Sequence, residues 1–245
     1  MSTAEARSPR QLQLAGQVHV AEGPLDMSAM YVMHHAFRRD LDRFPDAVRA
    51  TPLDDRQVWR GLRLRWEQFA AMLHHHHGVE DRTIWPPLME HVRAAGDHRG
   101  LETLKAMQAE HETIDPQLAA CATAFTTMVE SPSVPARQRL VELLDTTRES
   151  LARHLAHEET DALPLVQRHL PQAAWQASEN EAKRTYRPQE LAYLVPWAAA
   201  GLSTEALDRT FAAAGWPFRV LFRLTRGRFA RSEAIAFRHS PTPAG

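Results

Sequence analysis

A single cysteine, Cys121, stands among the 245 residues. No internal disulfide framework and no thiolate metal site can be built from it, and a reducing compartment fits. Neither sign of charge is in excess: 29 Lys and Arg face 30 Asp and Glu, a formal net charge of −1. Without a chain-wide basic field, nucleic acid is not an expected partner, and without an acidic excess neither is a solvating tail. Long apolar runs are missing too. The longest, Leu191 to Leu202, is broken by Pro196 and falls far short of the roughly 20 residues a transmembrane helix needs. Residues 1–23 carry no apolar segment flanked by basic residues, so no signal peptide is expected. These absences predict a soluble, cytoplasmic chain, whose length alone does not decide between one folding unit and two.

What is abundant is histidine, 14 in all, densest in two related stretches. His74 to Pro86 holds four consecutive histidines, and a weaker copy lies at His154 to Pro164. In both, a histidine is followed four residues later by a glutamate and ten later by a proline: His76, Glu80, Pro86 and His154, Glu158, Pro164. Four residues is about one helical turn, so imidazole and carboxylate project from one helix face, as two ligands to one buried metal centre must.

Hydrophobic periodicity places these motifs on helices. Asp26 is a plausible N-cap for a first helix with Met27, Met30, His34, Phe37, Leu41 and Phe44 inward, closed by the segment Pro45 to Asp55. The phase selects His34 over His35. A second helix runs from about Arg56 to Trp85, with Leu62, Trp66, Phe69, Leu73, His76, Glu80 and Ile84 on one face and Pro86-Pro87 as its stop. A third carries Leu104, Met107, His111, Ile114, Leu118 and Phe125, and Pro116 should kink it just after His111. After the loop Ser131 to Pro135, with Pro135 in the first turn, the fourth aligns Leu140, Leu144, Thr147, Leu151, His154, Glu158 and Leu165. His34 precedes His76 by almost the same interval as His111 precedes His154, as if a helix pair had been duplicated. Four amphipathic helices with short connections predict an all-α, up-down four-helix bundle.

Beyond Pro171, helices are expected over Gln172 to Arg184, Pro188 to Leu202, Thr204 to Ala214 (capped by Ser203, ended by Gly215) and the basic segment Phe218 to Arg238. The expected organisation is therefore a tail over 1–23, a metal-binding bundle over 24–170 and a helical C-terminal extension over 171–245. The arginines of the extension read chiefly as a solvated face of helices covering the bundle, and the sequence names no protein partner for them.

The inward polar residues are His34, His76, Glu80, His111, His154 and Glu158. Two buried carboxylates are tolerable only if paired or bound to cations. With four neutral imidazoles they suit two divalent metals, each glutamate bridging both and the histidines capping the outer sides. Imidazole with carboxylate selects iron, manganese or zinc over calcium or magnesium, and availability and ligand type favour iron. Asp81, Glu159 and Asp115 are placed to accept the far N–H of a ligating imidazole, and Tyr31, one turn before His34, to reach into the pocket. His74, His75 and His77 read as exposed or outlying bystanders of His76, as do His35 and His157, and Cys121 as a packing residue. A ferritin-type site is not supported, because no histidine follows a glutamate by three residues.

The stretch from about Met27 to Gln167 resembles a hemerythrin-like (HHE cation-binding) domain. The resemblance rests on His34 shortly before Phe-Arg-Arg-Asp-Leu, the two copies of the His-x3-Glu-x5-Pro signature, and Glu-His-Glu around His111. It implies a four-helix bundle around a carboxylate-bridged, non-haem diiron centre that meets oxygen, peroxide or another small diatomic ligand. Two departures are visible. Oxygen-carrying members have two histidines one turn apart on the third helix, where this chain has Met107 and Asp115 either side of His111. They also carry an aspartate five residues after the fourth-helix histidine, where Glu159 stands here, with Glu158 at the four-residue spacing. The ligand set is closer to that of sensor and regulatory members. The expected function is redox or oxygen sensing, or peroxide removal by an oxidoreductase. The alternatives are a non-catalytic iron or oxygen store, or an interaction protein whose metal is structural.

Overall fold

The computed structural model describes residues 9–240, which are helical throughout their regular parts. The bundle comprises α1 (Ser28–Ala50), α2 (Arg56–Val79), α4 (His98–Glu130) and α5 (Val134–His157), with α4 packed on α2 and α5, and α5 on α1. Helix α2 passes through a π-helical turn, Glu80–Ile84, into α3 (Trp85–Ala94), and α5 through a second, Glu158–Ala162, into α6 (Leu163–His169). The extension is α7 (Gln172–Thr185), α8 (Pro188–Ala199), α9 (Thr204–Ala214) and α10 (Trp216–Ala236).

Local signals set most helix starts. Asp55, Asp97, Ser133 and Ser203 accept from the backbone N–H of Val58, Gly100, Ala136 and Ala206 respectively, a cap contributing about 1 kcal/mol each. Asp26 acts one residue earlier than expected: its carboxylate accepts from Ser28 N–H at 2.9 Å, and Met27 occupies the N-cap position without a side-chain cap. Gly215, at φ +99°, takes the left-handed conformation that separates α9 from α10.

Several prolines lie inside helical segments or in their first turn. The first helix closes within the expected segment Pro45 to Asp55, ending at Ala50 with Pro45 buried inside it. Pro86 and Pro87 do not stop the second, because they fall in the first turn of α3, where their missing N–H groups are not required. The third bundle helix, α4, carries Pro116 in its interior.

Every residue assigned to the four inward stripes is buried, and the core they form is split in two. One apolar cluster holds Phe37, Phe44, Trp66, Phe69, Leu118 and Phe125. The other holds Met27, Met30, Ile84, Trp85, Leu104 and Leu163. The histidine and glutamate positions lie between these clusters on each of the four helices, so a polar layer crosses the bundle.

Of the expected tail, residues 1–8 lie outside the described residues. The part that follows lies along the bundle, where buried Gln167 of α6 donates to the carbonyls of Ala21 and Leu25 and accepts from Leu25 N–H. A Cβ at Gly23 would collide with that side chain, so the close approach requires glycine.

The extension covers the side where α1 meets α2, with α8 against α1, α10 against α2, and α7 against α2 and its π turn. It is anchored by Asp40, fully buried on α1. Asp40 accepts from Arg65 Nε (2.9 Å) and Nη2 (3.1 Å) on α2 and from Trp197 Nε1 (2.8 Å) on α8. Arg65 in turn lies 2.7 Å from Glu233 of α10. Burial alone would push the Asp40 carboxyl up, but Arg65 and Arg39 override it and hold the group below the usual carboxylate range. Asp40→Ala leaves Arg65 buried beside no carboxylate of its own bundle, and should cost about 3–5 kcal/mol. Arg49→Ala, breaking the half-exposed pair with Asp145, should cost less than about 1 kcal/mol. Chemical denaturation measures both, and equal costs would refute the anchoring role of Asp40.

Candidate metal centre

Imidazole and carboxylate groups from α1, α2, α4 and α5 converge in the polar layer. Glu80 lies with Oε1 2.9 Å from His76 Nε2 and Oε2 3.5 Å from His111 Nε2. Glu158 Oε2 is 3.2 Å from His34 Nε2 and 3.9 Å from His154 Nε2. Each glutamate thus touches a histidine of the first helix pair and one of the second. The donor atoms fall into two groups, His34, His76, Glu80 and Glu158 in one and His77, His111 and His154 in the other, the atoms within each lying within 4.8 Å of one another.

Both glutamates sit where the helix changes pitch. In each π turn the residue before the proline, Trp85 or Leu163, donates its N–H to the carbonyl of the glutamate five residues back. Pro86 and Pro164, lacking N–H, cannot give the α-type bond to the carbonyls four residues earlier, and the wider turn accommodates that loss. The proline in each copy of the motif is therefore part of what holds the glutamate's turn.

Three histidines are tethered from behind. His34 Nδ1 donates to Glu159 (2.9 Å), His111 Nδ1 to Asp81 (2.9 Å) and His154 Nδ1 to Glu110 (2.8 Å). A carboxylate on Nδ1 puts the proton there and leaves the Nε2 lone pair facing the site, the arrangement of a metal-ligating imidazole. Glu159 is itself braced by Arg38 (2.7 Å) and Val18 N–H (2.8 Å).

The atoms that face inward are buried and unsatisfied: Nε2 of His34, His76, His111 and His154, both ring nitrogens of His77, and all four carboxylate oxygens of Glu80 and Glu158 make no hydrogen bond. One buried polar group left unpaired costs about 1–3 kcal/mol; a cluster of them in one layer demands cations. Nitrogen and carboxylate oxygen are the donor types that iron, manganese and zinc take, so these residues fit a metal centre.

The electrostatics agree. Burial and the nearby charge of Glu158 push Glu80 up to about 8. Burial pushes Glu158 up as well, but His34 and His154 outweigh it and bring it down to about 2. His34 follows the same balance with opposite sign, burial against the charge of Glu158 and the hydrogen bond to Glu159, and rises to about 9. His76 is lowered to about 3 by burial and the facing His34, and His77 is lowered by burial and the facing His111 and His154. Without a cation the two carboxylates cannot both be charged cheaply; a dication removes the conflict.

His34, His76, Glu80, His111, His154 and Glu158 are thus brought together. Asp81 and Glu159 each accept from the Nδ1 of a clustered histidine, His111 and His34 respectively. Asp115 does not: it pairs with His74, which is exposed, at 3.3 Å. Tyr31 turns away, its hydroxyl accepting from Ala21 N–H at 2.8 Å. His77 is the main correction. It is only 2% exposed, stacked on His111 with ring centroids 3.9 Å apart and edge-on to His154 at 5.1 Å. His76 faces the α1 side, where it meets His34 edge-on at 5.4 Å. Neighbouring residues diverge by about 100° around a helix, enough for both to border a wide centre, and His77 also keeps stripe spacing, four after Leu73 and three before Glu80. Glu110 was missed as well, although it directly precedes His111; it accepts from His154 and, at 2.8 Å, from His157. His75 is half-buried against Tyr186, ring centroids 3.9 Å apart.

The family described as Hemerythrin HHE cation binding domain matches residues 26–166, from the start of α1 into α6. No curated protein and no solved structure matches the chain. No helix among the described residues is long and apolar enough to cross a membrane. The match spans more than half of the chain and encloses every residue of the two donor groups; the chain belongs to the hemerythrin HHE cation-binding family.

Proposed function

We propose that this chain holds two iron ions bridged by Glu80 and Glu158, one anchored by His34 and His76, the other by His77, His111 and His154, and that the pair meets oxygen, peroxide or another small diatomic ligand in a reducing, cytoplasmic setting. The observation that carries the reading is the set of unsatisfied donor atoms lying on both sides of two buried glutamates. Bound iron would supply reversible redox chemistry and sites for an exogenous ligand. The protein's part is to hold the imidazoles by their Nδ1 atoms, exclude bulk water with two apolar clusters, and keep the carboxylates apart from any cation but the metal. Manganese or zinc would satisfy the same donors. The donor count is unequal: two histidines on one side, three on the other. The side of His34 and His76 therefore keeps more room for an incoming ligand, which favours sensing or peroxide removal over a purely structural metal.

Metal analysis with an absorption spectrum of freshly purified protein tests this. Wild type should carry two ions per chain, and Glu80→Ala or His154→Ala should lose most of them. His77→Ala should lower occupancy or affinity, whereas exposed His74→Ala should not. Wild-type metal content in the Glu80 and His154 variants would sink the site assignment.

Glu110→Gln probes the tether alone. Removing an outer carboxylate from a ligating histidine should weaken metal binding by about 10–100-fold, measured by competition with a chelator. Unchanged affinity would mean that Glu110 serves only His157.

Metal binding should also be pH-dependent. The metal-free site retains protons on Glu80 up to about pH 8 and on His34 up to about pH 9, and a cation must displace both. Apparent affinity should therefore rise from pH 6 to pH 9 and proton release accompany binding; a flat profile would contradict the charge balance described for the metal-free site.

A further inference from the structure

On the side covered by the extension, a cavity of about 230 Å³ reaches the wall of the centre. Its inner surface is formed by Met33, Val79 and Ile84 of the bundle, together with His76 and Glu80. Its roof comes from Leu194, Val195 and Phe211 of α8 and α9, and one flank is closed by Trp175 and Ala182 of α7 and by Tyr186 just after it. The roof and that flank lie outside residues 26–166, so the family's bundle alone does not make this space. None of the residues of the three-histidine group lines it.

Size decides what the space is for. A diatomic molecule needs little more than the roughly 30 Å³ a water molecule occupies in the liquid, so the cavity is several times too large for oxygen alone. An apolar cavity of about 150 Å³ holds one benzene. The chemistry of the wall selects further: apart from His76 and Glu80, its ionisable groups are His75, Tyr186, Glu179 and the exposed Lys183, all on or facing α7. The rest of the lining is hydrocarbon, so a charged ligand would lose its hydration over most of its surface, at a cost of several kcal/mol.

We propose that this cavity is a binding site for a small, uncharged apolar organic molecule, of the size of a substituted single ring or a short alkyl chain, held beside His76 and Glu80. Its place next to a metal ion rests on the diiron reading; the site itself does not. The extension would then act as a selectivity element, admitting hydrocarbon-like ligands to the side of the centre with the fewer histidines.

Toluene is the probe, titrated calorimetrically into the full chain in metal-free and iron-loaded forms. Saturable one-site binding is expected in both. Ala182→Trp, which fills the cavity from α7, should weaken it tenfold or more, while Ala173→Trp, on an exposed position of the same helix outside the cavity, should not. Ala198→Phe enters from α8 and serves if Ala182→Trp does not fold. In the iron-loaded protein, toluene should also slow the binding of azide. No saturable binding up to the solubility of toluene, or binding unchanged in folded Ala182→Trp and Ala198→Phe, overturns the proposal. Toluene binding without any iron uptake would leave the cavity site standing and overturn the diiron reading instead; iron uptake without toluene binding does the reverse.

Discussion

Two carboxylates with no hydrogen bonds, fully enclosed in the middle of a helical bundle, are the constraint on which the other features depend. Glu80 and Glu158 lie in a layer between two apolar clusters that would otherwise close on each other as a continuous core. A fold that only needed stability would fill these positions with leucine, since replacing a buried ionic group by well-packed hydrocarbon is often neutral or stabilising. The layer instead carries the full desolvation penalty of its polar atoms in the metal-free protein. The neighbouring groups partly relieve it by moving protons: Glu80 is driven toward its neutral form and His34 toward its charged one. Binding free energy from a cation is thereby converted into folding free energy, the general behaviour of metal sites whose ligands lie in the core.

The positions of these carboxylates follow from a local backbone device. A proline six residues after each glutamate withholds a helical hydrogen bond, and the chain answers with a π turn rather than a break. Helical direction is kept, so α3 and α6 continue the apolar layer beneath the centre with Trp85, Leu88 and Leu163. The same proline that reads locally as a terminator is, in the folded chain, compatible with a continuous rod whose pitch changes at the ligand. The device occurs at both copies of the motif, each time beginning at a buried glutamate.

Much of this was legible beforehand, because the 3.6-residue period is a strong signal on long amphipathic helices. The stripes of α1, α2, α4 and α5 are buried throughout, and they carry six of the clustered donors. The start and end of α9 at Ser203 and Gly215 were set by local capping chemistry and appear there. The failures have a common form: one residue per turn was allowed to face inward, and one rule per proline was applied. His77 borders the donor cluster beside His76 because that cluster, two groups of donors side by side, is wider than a single stripe. Pro45 lies inside α1, and Pro86 lies in the first turn of α3, where the π turn before it accommodates the missing N–H. Asp115 and Tyr31 were placed by helical position alone, which does not say whether a closer partner, such as His74 or the Ala21 N–H, takes the group first.

The extension shows how a site can be altered without altering its ligands. Asp40 and Arg65 bind α8 and α10 to the outside of α1 and α2 through a buried polar network, and α7 rests directly on the π turn that begins with Glu80. A polar network fixes geometry more narrowly than apolar packing does, since each hydrogen bond is lost within a fraction of an ångström. The wall beside His76 is therefore held at a defined distance rather than collapsed onto the bundle, and the space left between them is apolar. The second donor group lies away from that cavity: His77, His111 and His154 pack on one another, with Asp81 behind His111 and Glu110 behind His154. The two donor groups thus differ in both composition and surroundings, and the one with fewer histidines borders the cavity that the extension roofs.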